Sequence, residues 1–156
     1  MIRIIFTDKE NLHGLTKRIL SEELSAPVTI LQTSEGKPYI EGNPLYFSMS
    51  HSGNKGVVAI YDNPVGVDLE NIKNKNYPAT LSRFPAREQK EITSQEDFIR
   101  HWTAREAYIK MHGYTLASAF KHLEYFGGQI YFKNEKQPCE ITHYKVGKSG
   151  ILAICR

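Results

Sequence analysis

Three acidic side chains stand where they could do chemistry together. In the segment PVGVDLE, Asp68 and Glu70 are two residues apart, and side chains at that spacing on a strand point to the same face. The third is Glu106, which helical periodicity places among the apolar residues of a long amphipathic segment. Because an unpaired carboxylate buried in such a sector costs several kcal/mol, a cation or a polar cavity is expected beside Glu106.

Oxygen ligands of this kind suit Mg²⁺ bound together with substrate phosphates. The sequence therefore predicts a Mg²⁺ site formed by Asp68, Glu70 and Glu106. Zinc is disfavoured, because the six histidines show no HxxxH or HExxH spacing. Lys110 is either the i,i+4 partner of Glu106 or, with the loop residue Lys37, a cation that neutralises phosphate. For the strand taken alone, the alternative interpretation is a half-buried strand with its two carboxylates in water.

A second group of polar residues lies in the turn FSMSHSGN. Ser50, His51 and Ser52 are short donors beside a glycine, and such turns bind phosphate through side chains and backbone N–H groups. A hydrolase with a serine and histidine pair is rejected, because sequence neighbours on a strand point away from each other. The chain also has no GxSxG elbow.

Hydrophobic periodicity and turn residues predict the elements that must position these groups. A strand and a helix open the chain, three closely linked strands suited to an antiparallel meander follow, and a long helix and two hairpins complete it. The long helix begins at a capping box (Thr93 with Glu96, or Ser94 with Asp97) and ends at Gly113. The predicted fold class is α+β, in one compact unit.

Composition limits the function less than the motifs do. The net charge of +3 favours anionic partners, and five basic residues follow Glu70 against one acidic residue, Glu88: Lys73, Lys75, Arg83, Arg87 and Lys90. These form either a solvated surface or a docking site for an acidic protein. Without an apolar leader or membrane span, the chain is predicted to be cytoplasmic, with its two cysteines as reduced core thiols.

Four motifs, in order, carry a family resemblance: GKPYI (36–40), FSMSHSG (47–53), GVDLE (66–70) and WTAREAYIK (102–110). Together they resemble the motif set of 4′-phosphopantetheinyl transferases of the surfactin-synthetase-activating type. The segment RFPAREQ is also similar to that family's segment before a short helix. Arg105 stands where the family usually has lysine, an exchange that keeps the charge and is expected to be tolerated.

The resemblance implies a reaction and a set of roles. A carrier serine attacks the β-phosphate of coenzyme A, and 3′,5′-ADP leaves. Asp68, Glu70 and Glu106 hold Mg²⁺ on the pyrophosphate, Glu106 is also the base, and Asp68 and Lys110 belong to the catalytic set. Lys37 and Pro38 lie near the adenine nucleotide, and Ser50 and His51 lie at its 3′-phosphate. Lys110 binds the pyrophosphate.

The family fold implies two similar α+β halves related by a pseudo-twofold, with antiparallel strands and packed helices around a cleft. The predicted boundaries are 1–63 for a shortened first half and 64–156 for the half with the metal site. Motifs of both halves occur in one chain, which favours a monomer. The expected partners are coenzyme A and an apo acyl or peptidyl carrier protein, without nucleic acid or membrane.

Two alternatives stay open on the residues alone. One is another Mg²⁺-dependent enzyme that cleaves a pyrophosphate with the same carboxylates but has no protein acceptor. The other is a non-catalytic module for an anion or nucleic acid, motivated by the basic segment and by Tyr131 and Phe132 on a strand.

Overall fold

A computed structural model describes residues 1–42, 45–74 and 77–156. The first half of the chain runs strand, helix, small hairpin, strand, strand: β1 (Arg3–Asp8), α1 (Leu12–Leu24), β2 (Ile30–Gln32), β3 (Pro38–Ile40), β4 (Tyr46–Ser52) and β5 (Lys55–Tyr61). β5 is the middle strand of an antiparallel sheet with the order β1-β5-β4. The apolar face of α1 packs on this sheet through Leu12, Ile19 and Leu20, as its periodicity predicts. Of the segment SEGKPYIEGNP, whose turn residues predict a loop, Pro38–Ile40 forms β3 instead, and Asn43 and Pro44 lie outside the described residues.

The second half repeats that order with additional helices. Its elements are β6 (Gly66–Asn71), α2 (Tyr77–Leu81), α3 (Ala86–Gln89), α4 (Gln95–His112), α5 (Leu116–Ala119), β7 (Leu123–Phe126), β8 (Gln129–Phe132), β9 (Glu135–Lys136), β10 (Ile141–Val146) and β11 (Gly150–Cys155). Here β11 is the middle strand of a sheet with the order β10-β11-β6.

The predicted α+β class with antiparallel strands and packed helices is therefore confirmed. In each half the first strand pairs with the last, a long helix follows the first strand, and a hairpin follows the helix. A pseudo-twofold between the halves and the boundary between residues 63 and 64 stay predictions; that boundary falls in the link between β5 and β6. No helix of the described chain is long and apolar enough to cross a bilayer.

Helix α4 has the ends that the sequence predicts. The hydroxyl of Ser94 accepts a hydrogen bond from the backbone N–H of Asp97 at 3.0 Å. The carboxylate of Asp97 accepts in return from the N–H of Thr93 at 3.1 Å, so one donor of the first turn and the N–H just before the N-cap are satisfied. Gly113 ends the helix in the left-handed region, at φ 73°, a conformation that glycine adopts without steric cost.

The predicted meander is wrong at its third strand. β4 and β5 form a hairpin, but β6 pairs with β11 and joins the other sheet. Beside β4, the backbone N–H groups of β6 donate to serine hydroxyls instead of carbonyls: Val67 to Ser48 at 3.0 Å, Leu69 to Ser50 at 3.1 Å and Asn71 to Ser52 at 3.0 Å. The two strands run in the same direction, so the short link carries the chain from one sheet to the other.

The start of β6 lies directly against α4. A Cβ atom on Gly66 would sit 1.8 Å from the carbonyl oxygen of Ala107 and 2.6 Å from the amide nitrogen of Met111. Only glycine allows this approach of strand to helix. The contact brings the carboxylates of β6 to the side chains of α4, where the site is formed.

Candidate active site

The three predicted carboxylates and Lys110 line one open cleft of about 430 Å³. Asp68 and Glu70 come from β6, and Glu106 and Lys110 come from α4. Asp68 is only 4% exposed, whereas the other three are half-buried. The structure thus brings the predicted catalytic and metal-binding residues to one place.

The polar cavity expected beside Glu106 is present, whereas the single apolar face predicted for α4 is wrong. α4 is central to its half and is buried on most of its circumference. Between residues 102 and 110, the half-buried side chains are those of Trp102, Glu106 and Lys110. They lie one helical turn apart and face the cleft. Helical periodicity identifies one apolar face and therefore misjudges a helix that is enclosed on several sides. Glu106 lies at the cleft and not in the apolar core.

Lys110 pairs with Asp68 and not with Glu106. Its Nζ lies 2.7 Å from Oδ1 of Asp68 and 3.0 Å from the hydroxyl of Ser50. The Ser50 hydroxyl donates to the same Oδ1 at 2.9 Å and accepts from the N–H of Leu69. Its one donor and two lone pairs are therefore all used, which holds Ser50 in place between β4 and β6.

The other oxygen of Asp68, Oδ2, is buried without a hydrogen-bond partner. A buried carboxylate oxygen without a partner is costly, and such an atom suits a cation. Within residues 1–42, 45–74 and 77–156, no three Asp, Glu, His or Cys side chains are close enough to form a complete set of metal ligands. The carboxylates of Asp68, Glu70 and Glu106 instead offer separate oxygen donors around one cleft. Such donors fit Mg²⁺ that is held partly by substrate phosphates.

A second cavity of about 330 Å³ adjoins the carboxylate cleft and contains the predicted nucleotide residues. Lys37, Pro38, Ser50 and His51 all line it, and Ser50, His51 and Lys110 belong to both cavities. Several other lining residues were not predicted, and His13 and Tyr114 are among them. Neither carries a local signal: His13 is one residue on the surface of α1, and Tyr114 follows the glycine that ends α4.

Two basic side chains of this cavity, Lys37 and His51, have lowered pKa values. Burial lowers the pKa of Lys37, whose ammonium donates to the carbonyl of Met111 in the last turn of α4. Burial also lowers the pKa of His51 below its ordinary value of 6.5, and the charges of Lys9 and Lys110 lower it further. His51 is thus a neutral donor or acceptor around neutral pH, in a field that attracts anions.

Arg105 is buried behind the cleft in a network that its sequence neighbours do not reveal. The guanidinium is 1% exposed and pairs with Glu88, which is 0% exposed, at 2.6 Å. It also donates to the carbonyl of Phe120 at 2.7 Å and lies 4.5 Å from the ring centre of Phe84 and 4.4 Å from that of Phe120. Glu88 accepts from His101 as well, across 3.1 Å. A planar guanidinium can stack and donate at once, which accounts for arginine at this position.

The basic segment after Glu70 is not uniformly free for docking. Arg87 forms a two-pronged pair with Glu124, its closer contact at 2.6 Å, and stacks on Phe126 and Tyr131. Lys73 is exposed, and Lys75 lies outside the described residues. Of the aromatic pair that motivated a nucleic-acid alternative, Tyr131 contacts Arg87.

With an α+β fold and a carboxylate cleft beside a cation-lined cavity, the chain has the features of a group-transfer enzyme for phosphorylated molecules. Residues 64–155 match the family model described as the 4′-phosphopantetheinyl transferase superfamily. The chain belongs to this superfamily, and the predicted resemblance and enzyme class are confirmed.

Several curated relatives match along most of the chain. The 4′-phosphopantetheinyl transferase psf-1 of Bacillus pumilus is 31% identical over 170 positions, covering 98% of this chain and 73% of the relative. The 4′-phosphopantetheinyl transferase ffp of Bacillus subtilis is 27% identical over 171 positions, with 96% and 76% covered. For the 4′-phosphopantetheinyl transferase Sfp of Bacillus subtilis strain 168 the identity is 26%, with the same coverage.

Proposed function

We propose that the protein transfers the 4′-phosphopantetheine group of coenzyme A to a serine of an acyl or peptidyl carrier protein. The reaction requires Mg²⁺ and releases 3′,5′-ADP. The observation that carries this proposal is the continuity of the two cavities. A phosphorylated nucleotide in the cavity of Lys37 and His51 would extend its pyrophosphate into the cleft of Asp68, Glu70 and Glu106.

Asp68, Glu70 and Glu106 would supply oxygen ligands from the wall of the cleft, and substrate phosphates would complete the coordination, because no three such side chains of the described residues are close enough to hold an ion by themselves. The unpartnered buried oxygen of Asp68 supports this assignment, because a cation would satisfy it. When bound, Mg²⁺ would neutralise the pyrophosphate and stabilise the charge that develops on the leaving phosphate. Lys110, already 2.7 Å from Asp68, would add a second positive charge at the same place.

Glu106 is proposed as the base. It would take the proton of the carrier serine while the serine oxygen bonds to the β-phosphorus of coenzyme A. The bond from that phosphorus to the bridging oxygen breaks, and 3′,5′-ADP leaves with the electron pair. Positioning and charge neutralisation supply most of the catalysis of such a step, so no covalent enzyme intermediate is needed.

The test is to incubate the protein with coenzyme A, Mg²⁺ and an apo carrier protein and to weigh the carrier by mass spectrometry. A gain of one phosphopantetheine group is expected. Loss of that gain in Asp68→Ala, with transfer unchanged in the exposed control Lys17→Ala, would assign the activity to the cleft. Cleavage of coenzyme A with an unmodified carrier would instead support a pyrophosphate-cleaving enzyme.

A second variant separates the role of Glu106 as base from its role as ligand. Glu106→Gln keeps the size of the side chain and one oxygen but cannot take the proton. Turnover is expected to fall by a factor of about 10² or more, while the dissociation constant of coenzyme A changes much less. Equal losses in turnover and in coenzyme A binding would remove Glu106 from the role of base.

A further inference from the structure

Strand β4 contacts β6 through serine side chains at every second position. Ser48, Ser50 and Ser52 point to the same face of β4, as residues two apart on a strand do. Each hydroxyl accepts a hydrogen bond from a backbone N–H of β6, at 3.0 or 3.1 Å. The three serines therefore join the two strands in the same way, and a special role for one of them must come from its other contacts.

Ser50 also contacts the carboxylate cleft. Its hydroxyl donates to Oδ1 of Asp68 at 2.9 Å and accepts from Nζ of Lys110 at 3.0 Å. Ser48 accepts from the N–H of Val67, and no hydrogen bond of the described residues links it to Asp68 or Lys110. These two buried serines thus differ in their contact with the active-site pair and not in their attachment to β6.

The two oxygens of Asp68 have different environments. Oδ1 accepts from Lys110 at 2.7 Å and from Ser50 at 2.9 Å, whereas the buried Oδ2 has no hydrogen-bond partner among the described residues. The protein thus holds the carboxylate by one oxygen and leaves the other for a cation. Carboxylates that bind metal ions are generally oriented by hydrogen bonds of this kind. Without the Ser50 hydroxyl, Oδ1 would be bound by the flexible side chain of Lys110 alone.

The hydroxyl of Ser50 has no capacity left for a substrate phosphate. Its donor and both lone pairs are used by Asp68, Lys110 and Leu69. A phosphate could therefore accept a hydrogen bond from Ser50 only if the bond to Asp68 broke. We propose that Ser50 is a positioning residue for the metal site: it fixes Asp68 through Oδ1, so that Oδ2 remains available to the divalent ion. This inference rests on the proposed function, and it departs from the 3′-phosphate role that the family resemblance implies for Ser50.

The experiment measures metal affinity in the complex with coenzyme A and without a carrier protein, so that no group transfer occurs. Mn²⁺ replaces Mg²⁺, because both ions prefer carboxylate oxygens and electron paramagnetic resonance detects unbound Mn²⁺. Ser50→Ala is compared with the wild type and with the control Ser48→Ala. The control is closely matched, since Ser48 and Ser50 are 5% and 6% exposed and each accepts one N–H of β6. Circular dichroism establishes that the variants fold.

In Ser50→Ala the dissociation constant of Mn²⁺ is expected to rise about tenfold or more, as it does when other residues that orient a metal ligand are removed. Ser48→Ala should bind Mn²⁺ nearly as the wild type does. With EDTA in place of the metal, the dissociation constant of coenzyme A should be the same in Ser50→Ala and in the wild type, because the hydroxyl does not contact the nucleotide.

Two further substitutions at the same position separate the hydroxyl from the space that it fills. Ser50→Thr keeps the hydroxyl and should retain most of the Mn²⁺ affinity. Ser50→Cys keeps the size but offers only a weak S–H donor, so it should lose affinity, and it provides the test if the alanine variant does not fold. Equal losses in the threonine and cysteine variants would assign the effect to packing and overturn the proposal.

The remaining outcomes separate the role of Ser50 from the proposed function. Equal Mn²⁺ affinities of Ser50→Ala and Ser48→Ala would show that Ser50 does not position the metal ligand. A loss of coenzyme A affinity in EDTA would assign the hydroxyl to the nucleotide and also overturn the proposal. A wild type that binds Mn²⁺ and coenzyme A but modifies no apo carrier would refute the proposed function, while the Mn²⁺ titrations still decide the role of Ser50. A wild type that binds no Mn²⁺ beside coenzyme A would refute both.

Discussion

Replacing Glu88 by alanine should destabilise the protein strongly, because the change leaves a buried guanidinium without its counter-charge. Glu88 is 0% exposed and Arg105 is 1% exposed, and the two are joined at 2.6 Å. The Nε of Arg105 already lacks a hydrogen-bond partner. Removing the carboxylate therefore adds an uncompensated charge to a donor that is already incompletely satisfied.

The magnitude follows from what remains around the guanidinium. Breaking a buried ion pair by deleting one partner costs about 3–5 kcal/mol. The carbonyl of Phe120 at 2.7 Å and the ring of Phe84 stay in contact with Arg105, so the lower end, about 3 kcal/mol, is expected. With a urea dependence of about 2 kcal/mol per molar, the unfolding midpoint should fall by about 1.5 M.

Equilibrium unfolding in urea, followed by circular dichroism, measures this change. The matched control is Glu140→Ala, which removes an exposed carboxylate paired with Arg156 at 3.0 Å and should cost about 1 kcal/mol or less. The double variant Glu88→Leu with Arg105→Met should be more stable than Glu88→Ala, because it leaves no buried charge. A midpoint of Glu88→Ala equal to that of the control would refute the reasoning.

Two further predictions concern the strand-to-helix contact and the response to acid. Gly66→Ala should destabilise the protein by about 3 kcal/mol or more, since its Cβ would meet the backbone of α4 at 1.8 Å. The control Gly14→Ala places its Cβ in open space and should stabilise α1 by about 0.5–1 kcal/mol. Similar urea midpoints for the two variants would contradict this prediction. Burial lowers the pKa of His143 from 6.5, so below 6.5 the unfolded chain binds the proton first and stability should fall as pH falls. Urea unfolding at about pH 7.5 and about pH 5.5 measures this loss, which should be smaller in His143→Gln; an unchanged loss would exclude His143 as its source.

Elements with strong local signals were predictable from sequence. The capping residues before α4 and Gly113 after it mark that helix, because caps depend on residues within one turn. The hairpin at Gly127 and Gly128 is also local: both glycines adopt positive φ, as a two-residue turn requires. Four ordered motifs likewise identified the family, since each motif is continuous along the chain.

Contacts between distant segments were not predictable in this way. The short link after β5 predicted a hairpin, yet β6 pairs with β11, more than eighty residues later. The burial of α4 on several faces was not predicted, because the strands and helices that enclose it come from several parts of the chain. Arg105 and Glu88 are seventeen residues apart, and no periodicity of either segment indicates their pairing.

The sequence by itself determined which residue types are available: three carboxylates, lysines and a serine and histidine turn in a recognisable order. It also determined the helices and hairpins whose hydrogen bonds are local. Tertiary structure alone decided that Gly66 lets β6 approach α4, that the carboxylates line one cleft beside a second cavity, and that Lys110 pairs with Asp68. The physical reason is range: caps and turns depend on neighbouring residues, whereas a cleft depends on how distant surfaces pack.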